Sequence, residues 1–204
     1  AVDIETGERI LLNDGAFTCL VKARDFRLIA LPYYEAPPIT AGDLRATALT
    51  SIPNPGFEEG LLGWTPVPVE GNEGSVDLDA QVAYSGANSC HIRKVEGPGG
   101  MMIQTDDVFA VEPGRKYRAT CQLRIANSTG AKAYWMISQL DAQGRILGTN
   151  NLFSAFVTQN QEWSPLPFEF QPIEGTVAIR IHFLVAFPGV ADVWVDDFRL
   201  ELVE

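Results

Sequence analysis

The stretch Tyr-Arg-Ala-Thr-Cys-Gln-Leu-Arg-Ile, residues 117–125, alternates apolar and polar side chains without a break. Its apolar members are Tyr117, Ala119, Cys121, Leu123 and Ile125. Its polar members are Arg118, Thr120, Gln122 and Arg124. Because successive side chains of an extended chain point to opposite faces, this pattern predicts a strand with one buried and one solvated face. Such strands are typical of antiparallel sheets.

A second stretch, Thr176–Val185, repeats the pattern. The predicted inward residues are Val177, Ile179, Ile181, Phe183 and Val185. The predicted outward residues are Ala178, Arg180, His182 and Leu184. We therefore expect the two stretches to belong to sheets that share one apolar core.

Short apolar runs bounded by Gly, Pro, Asn or Asp recur along the chain, and no convincing helical periodicity exceeds two turns. The strand candidates are Val76–Leu78, Ser89–Lys94, Met101–Gln104, Lys116–Ile125, Lys132–Leu140, Phe168–Phe170, Thr176–Val185 and Val193–Leu200. Regularly spaced short strands of this kind predict an all-β protein, an antiparallel β-sandwich of the jelly-roll type.

The first fifty residues indicate an additional N-terminal β-hairpin element. Arg9–Leu12 and Ala16–Lys22 flank an Asn-Asp-Gly turn, and Phe26–Leu31 predicts a third strand. A proline-rich linker follows at residues 36–53. We therefore predict two regions, residues 1–50 and the sandwich at residues 51–204. Two or three strands are marginal alone, so the first region either packs on the sandwich or is the tail of a neighbouring domain.

Composition restricts the partners. The 204 residues carry a formal net charge of −11, and an acidic surface repels phosphate backbones, which argues against nucleic acid. The sequence has no apolar run approaching the ~20 residues that cross a bilayer. The chain begins Ala-Val-Asp, as a mature secreted protein would, and we expect an extracellular or periplasmic location.

Cysteine and histidine usage argues against a zinc site and against catalysis. The three cysteines, Cys19, Cys90 and Cys121, form no Cys-x-x-Cys pair. Cys90 and Cys121 fall at apolar strand positions, which favours buried thiols over a disulfide. The two histidines occur without a Gly-x-Ser-x-Gly elbow, a His-Glu-x-x-His motif or a glycine-rich phosphate loop. We predict a protein that is not an enzyme by itself.

Five motifs in order carry a resemblance to a known group of proteins. They are the run Asn-Pro-Gly-Phe-Glu-Glu-Gly-Leu-Leu-Gly-Trp at 54–64, Tyr84–Ser89, Val111–Tyr117, Asp141–Gly144 and Trp194–Phe198. Together they resemble the carbohydrate-binding modules of families 4, 9, 16 and 22, which have a galactose-binding-like jelly roll. The resemblance covers about residues 51–204. It implies a sandwich that binds a polysaccharide.

The resemblance also implies a structural Ca²⁺ site at one edge of the sandwich. By position its carboxylates would be Glu58 and Asp196, with Asp197 as the substitute. Carbonyl oxygens near Gly56 and in the turn that contains Ser85 and Asn88 would complete the shell. Ca²⁺ prefers six to eight hard oxygen ligands, and turns supply such carbonyls readily. The alternative is that both carboxylates are solvated turn charges or pair with arginine.

In modules of this type the concave sheet face binds sugar through aromatic planes and hydrogen-bonding side chains. The candidates for these roles are His182, Arg145, Trp135, Gln104 and Gln122, with Phe153 or Phe156 as further stacking residues. One departure weakens the expectation of a tight cleft. Several relatives carry a tryptophan just before the Val111–Tyr117 motif, where this chain has Gly-Gly-Met-Met-Ile at 99–103.

Two functions follow as hypotheses. The first is a non-catalytic module that directs a larger secreted carbohydrate-active enzyme to its polysaccharide. The alternative is a structural module of the same fold that packs against a catalytic domain or a surface partner without binding sugar. A third hypothesis is that residues 1–50 complete a catalytic domain that lies elsewhere in the parent chain. Convergence of Arg145, His182 and Trp135 on one open groove would favour the first hypothesis.

Overall fold

The computed structural model describes residues 2–3, 29–30, 52–69, 74–147 and 151–203. The chain divides into two compact units, Ala1–Pro37 and Pro38–Glu204. In the first unit, β1 (Val2–Asp3) pairs antiparallel with β2 (Ile29–Ala30), which lies inside the predicted third strand. The predicted hairpin of residues 9–22 and most of the predicted linker lie outside the described residues. The division at residue 50 therefore stays a prediction.

The second unit is a sandwich of two antiparallel sheets. The front sheet contains, in spatial order, β10 (Leu152–Phe153), β9 (Lys132–Leu140), β12 (Ala178–Ala186), β6 (Gly100–Thr105) and β3 (Trp64–Val69), with β7 (Phe109–Ala110) paired to β12. The back sheet contains β11 (Gln161–Phe170), β8 (Lys116–Ala126), β13 (Ala191–Val203), β5 (Ser89–Lys94) and β4 (Gly74–Asp79). Helices are absent from the part of the chain that the structure describes. The prediction of an all-β jelly-roll sandwich is confirmed.

The alternation that predicted strand 117–125 is present in the structure. All five apolar residues of β8 are buried in the core, and the polar residues between them are partly exposed. In β12 the predicted inward residues Ile179, Ile181, Phe183 and Val185 are also buried. The predicted outward face of β12 is covered as well, since Ala178, His182 and Leu184 are almost inaccessible to solvent. On this face Leu184 packs with Tyr134 of β9 and Met102 of β6, the two strands that pair with β12.

The sequence did not predict strand β3 and predicted only Phe168–Phe170 of strand β11, because both strands contain proline. Strand β3 includes Pro66 and Pro68, and β11 includes Pro165 and Pro167. Proline has no N–H for a ladder hydrogen bond, so sequence reasoning treats it as a strand breaker. At a sheet edge the N–H can face solvent, and proline is tolerated there. Both strands lie at the edge of their sheet.

The core between the sheets explains the 54–64 motif. The rings of Phe57, Trp64 and Phe198 contact one another, with Trp64 and Phe198 centroids 4.6 Å apart. Trp135 and Phe183 extend this cluster from the front sheet, and the Trp135 ring lies 5.1 Å from that of Phe198. The motif and the closing strand β13 are therefore joined by aromatic packing, which stabilises the sandwich through buried apolar area and edge-to-face contacts.

Cys90 and Cys121 are buried free thiols, as the sequence predicted. Burial raises the pKa of both thiols, so they remain protonated and act as small apolar side chains. Within the described ranges no helix has the length and apolarity that a membrane span requires.

Candidate functional site

His182 lies at the centre of the outer face of the front sheet. Its imidazole Nε2 is 2.9 Å from Ser138 Oγ on β9, and the residue is only 5% exposed. Its Nδ1 has no hydrogen-bond partner among the described residues. Burial, together with the positive charge of Arg180, lowers the pKa of His182 to about 4. The side chain is therefore neutral at neutral pH, and its Nδ1 is a buried hydrogen-bonding atom without a partner in the described residues.

Gln104 is the other predicted binding residue that the structure places beside His182. It is the cross-strand neighbour of His182, on β6, and it is partly exposed. Thr65 is its neighbour on the edge strand β3. Polar side chains from three adjacent strands therefore line the same face of the front sheet.

Trp135 was predicted to stack on sugar, and the structure corrects this. The alternation of β9 turns Trp135 into the core, where its exposed fraction is 0%. Its ring packs edge-on against Phe183 and Phe198, and its Nε1 donates a hydrogen bond to the Leu166 carbonyl oxygen on the back sheet. A ligand on the outer face cannot reach it.

Gln122 and Arg145 are not brought together with His182. Gln122 belongs to β8 of the back sheet, and its partly exposed side chain alternates with core residues, so it points away from the front sheet. Arg145 closes the turn after β9 by pairing with Asp141, N···O 2.8 Å, and by donating to Gln143. Arg145, His182 and Trp135 do not converge on one groove, because the three side chains occupy a turn, a sheet face and the core, so this condition for the sugar-binding hypothesis is not met.

Two residues of the site escaped the sequence reasoning. Arg180 shares the outer face of β12 with His182, and its Nε is buried without a partner in the described part of the chain. Asn151 donates to Met136 Sδ at 3.5 Å, while its Oδ1 is buried without a partner there. The outward position of Arg180 was readable from the alternation of β12. Asn151 precedes a two-residue strand, and no sequence pattern pointed to it.

An aromatic patch, defined as Tyr134, Phe153, Phe156 and Phe187, lies at one side of this face. The Tyr134 ring is in contact with the other three, at centroid distances of 4.9 to 6.2 Å. Phe153, Phe156 and Phe187 are about half to a third exposed. Lys132 Nζ lies 4.6 Å and 4.3 Å from the ring centroids of Phe156 and Phe187. Exposed aromatic rings grouped in this way mark interaction surfaces.

The two carboxylates predicted for calcium meet on one turn, as expected. Asp196 is fully buried and accepts hydrogen bonds from the backbone N–H groups of Tyr84 and Ser85, both at 3.0 Å. Glu58 accepts from the N–H groups of Ala87 and Asn88 at 3.0 and 3.1 Å. Both carboxylates therefore cap the 84–88 turn. Asp197, the predicted substitute, pairs instead with Arg199 at 2.8 Å.

The chemistry of this turn partly suits a cation. Burial raises the pKa of Asp196, since its charge is removed from water, and no cationic side chain pairs with it among the described residues. Gly56 lies so close that a Cβ there would be 3.3 Å from Asp196 Oδ1. No group of three His, Cys, Asp or Glu side chains suited to a metal occurs in the described ranges. Carbonyl oxygens would therefore have to supply most ligands.

Comparisons with known proteins bear on the fold. The sequence matches no protein-family profile and no curated protein at a significant level. Among solved structures, the chain is similar to the enzymatically active domain of bacteriophage CBA120 tailspike protein 4, with a TM-score of 0.59 and 16% identity over 76% of this chain and 22% of that one.

Two carbohydrate-binding modules are also similar. The family 22 xylan-binding domain from Paenibacillus barcinonensis Xyn10C has a TM-score of 0.51 and 20% identity over 77% of this chain and 97% of that one. The family 61 module TmCBM61, solved with β-1,4-galactotriose, has a TM-score of 0.51 and 20% identity over 76% of this chain and 99% of that one. The sandwich thus shares the β-sandwich fold of these carbohydrate-binding modules.

Proposed function

We propose that the chain is a non-catalytic carbohydrate-binding module and that it binds sugar on the outer face of the front sheet. The observation that carries this proposal is the set of buried, unpartnered polar atoms on that face: His182 Nδ1, Arg180 Nε and Asn151 Oδ1. A buried polar atom without a partner costs about 1–3 kcal/mol, so native structures retain few of them. Three on one sheet face favour a ligand that supplies the missing hydrogen bonds.

Carbohydrate suits both the polar and the apolar parts of this face. Sugar hydroxyls donate and accept hydrogen bonds, so they match the unpartnered atoms of His182, Arg180 and Asn151. The C–H face of a sugar ring packs on exposed aromatic side chains such as Phe153, which is the strand neighbour of Met136 at the sheet edge. The known modules of this fold, named for xylan and solved with galactotriose, support the same ligand class.

We further propose that the module belongs to a larger secreted enzyme that acts on polysaccharide. Similar modules occur beside catalytic domains, as in the solved xylanase fragment of Clostridium thermocellum Xyn10B that contains a family 22 module and a family 10 glycoside hydrolase module. A module of this kind raises the local concentration of its enzyme on the substrate by avidity. Polysaccharide substrates of this type lie outside the cytoplasm, which supports an extracellular or periplasmic location.

Affinity electrophoresis against soluble xylans, β-glucans, mannans, galactans, alginate and pectins tests the proposal. Retardation by one class establishes binding and gives the ligand family. Catalysis is tested with the same polysaccharides by measuring the release of reducing ends, and we expect no release. Unretarded migration in every gel would contradict the proposed function.

A docking module is the second candidate function, and the aromatic patch favours it. Phe156 and Phe187 expose ring surface beside Lys132, a combination that also suits a protein partner such as a neighbouring catalytic domain. The two candidate functions predict different effects of a substitution in the aromatic patch. Phe187→Ser should weaken domain docking and leave polysaccharide retardation unchanged if the patch contacts protein.

We propose that the 84–88 turn binds Ca²⁺ through Asp196 and Glu58, with carbonyl oxygens of Gly56, Ser85 and Asn88. The buried carboxylate of Asp196 without a cationic partner in the described residues supports this site. A bound ion stabilises the native state by mass action, about 2.7 kcal/mol at one hundred times its dissociation constant.

Removing calcium with a chelator is therefore expected to lower the melting temperature by about 5–10 °C. Asp196→Asn should abolish that response, and the neighbouring Asp197→Asn serves as the matched control that retains it. Differential scanning calorimetry with and without chelator measures both. A melting temperature that is the same with chelator and with excess Ca²⁺ would show that the amide N–H groups alone satisfy the two carboxylates.

A further inference from the structure

The strands of the front sheet contain no acidic residue. None of β3, β6, β7, β9, β10 or β12, all of which the structure describes, includes an Asp or a Glu. The back sheet differs: its strands carry Asp77, Asp79, Glu162, Glu169, Asp192, Asp196, Asp197 and Glu201. In a chain of net charge −11, the strands of one described sheet therefore contribute no carboxylate.

Two cations occupy this face, Arg180 and Lys132. Neither forms an ion pair with a carboxylate of the described residues, whereas Arg118 and Arg124 on the back sheet do. A loop carboxylate, that of Asp106, reaches the β3 edge of this face and accepts a hydrogen bond from Thr65. A guanidinium group whose Nε is buried and unpartnered is costly, because its charge is partly removed from water without compensation.

We infer that the sugar bound here is acidic, and that Arg180 receives the carboxylate of a uronic acid residue. This inference rests on the proposed carbohydrate-binding function and specifies its ligand class. A planar guanidinium group matches a carboxylate with two parallel hydrogen bonds, and such charge-assisted pairs are about twice as strong as neutral ones.

The neighbours of Arg180 fit the rest of a uronate residue. His182 lies two residues along β12, with Nε2 committed to Ser138 and a buried Nδ1 without a partner in the described residues. In its neutral form this nitrogen can donate or accept one hydrogen bond with a sugar hydroxyl. Gln104 offers an amide beside His182. Phe153, across β9 from His182, offers exposed apolar surface for the C–H groups of an adjoining sugar ring. Neutral donors and acceptors thus accompany the positive charge of Arg180 on β12 and the neighbouring strands.

The test compares matched ligands that differ only in the carboxylate. Oligogalacturonides and glucuronoxylan oligosaccharides are titrated against the protein by calorimetry in 150 mM salt, alongside the same oligosaccharides after carboxyl reduction to neutral sugars. We expect at least about tenfold tighter binding of one acidic ligand than of its reduced form. Arg180→Gln should abolish that preference, and Arg180→Lys should weaken it.

Arg118→Gln on the back sheet is the control, since it removes the same charge from the protein without touching the front sheet. It should leave the preference intact. Equal binding of acidic and reduced ligands, or preference for the reduced form, would overturn the uronate inference while the carbohydrate-binding function stands. Absence of binding to any oligosaccharide would overturn both. A preference that survives in Arg180→Gln would place the carboxylate elsewhere and overturn the assignment to Arg180.

Discussion

The two sheets of the sandwich share one core and differ in how their outer polar groups are satisfied. On the back sheet Trp194 stacks on His91 with ring centroids 4.6 Å apart, while Arg124 lies 5.3 Å from its ring. Its Nε1 donates to Asp79 Oδ2 at 2.8 Å, and His91 contacts Asp192 at 3.0 Å. The polar groups of Trp194 and His91 on the back sheet are therefore paired with other residues of the protein.

The outer face of the front sheet has the opposite character. His182, Arg180 and Asn151 each keep a buried polar atom without a partner in the described residues. This contrast separates polar residues whose hydrogen bonds are made within the protein from polar residues that are candidates for binding a ligand. An aromatic or basic side chain at a strand surface is not informative by itself, because both faces have them. What distinguishes the front sheet is that its hydrogen-bonding capacity is incomplete.

The largest expected effect concerns the inner side of the front sheet. Trp135→Ala should destabilise the protein by about 3–5 kcal/mol, because it deletes a fully buried ring from the aromatic cluster. Phe153→Ala, at a half-exposed position of the same sheet, should cost less than about 1 kcal/mol. Urea unfolding of both variants measures the difference. Equal stability losses would mean that Trp135 is not a core residue.

The second prediction concerns the buried histidine. The pKa of His182 is about 4 in the folded chain and about 6.5 when unfolded, so the unfolded state binds more protons between these values. The stability from this group is present above pH 6.5 and is lost as the pH falls toward 4. At pH 4.5 the loss should be about 2–3 kcal/mol. It is measured as the change in unfolding free energy from pH 7.

His182→Gln should remove that share of the acid sensitivity, since glutamine does not titrate in this range. An unchanged dependence in the variant would show that His182 is accessible to solvent and protonates freely. The two curves, recorded in the same buffers, isolate the contribution of a buried polar group that lacks a partner in the described residues.

The smallest effect compares two partly exposed glutamines, one on each sheet. Gln104→Ala should weaken binding of the retarding polysaccharide by about fivefold, which corresponds to one hydrogen bond of about 1 kcal/mol. Gln122→Ala should have no effect, because its side chain lies on the back sheet. Affinity electrophoresis at several polysaccharide concentrations gives both values. A larger loss for Gln122→Ala would reverse the assignment of the binding face.

Sequence reasoning predicted the fold well because the information was local. The period-two alternation of 117–125 and 176–185 fixes which residues enter the core, whatever the topology. This alternation does not show which strands share a sheet. For that reason Gln122 and His182 were predicted on the same sheet face, whereas they lie on different sheets. Strand neighbours are decided by long-range pairing, which a single strand pattern does not encode.

The candidate site was predicted in part for the same reason. The shared face of His182 and Gln104 was predicted because polar residues at outward positions of predicted strands are visible in the sequence. Trp135 was misjudged because aromatic residues suit both a core and a sugar platform. Arg180 was visible as an outward residue, yet its importance depends on the absence of a carboxylate nearby, which only the arrangement of all the front-sheet strands reveals.

The most direct test of the central claim, that the front face binds sugar and the back face does not, is an amide NMR titration. The ¹⁵N-labelled chain is titrated in turn with xylo-oligosaccharide, galacto-oligosaccharide and oligogalacturonide. We predict that one ligand shifts the amide resonances of β12, β6 and β9 around His182 and leaves those of β8 and β13 in place. Shifts centred on Trp194 and Gln122 of the back sheet would contradict the account.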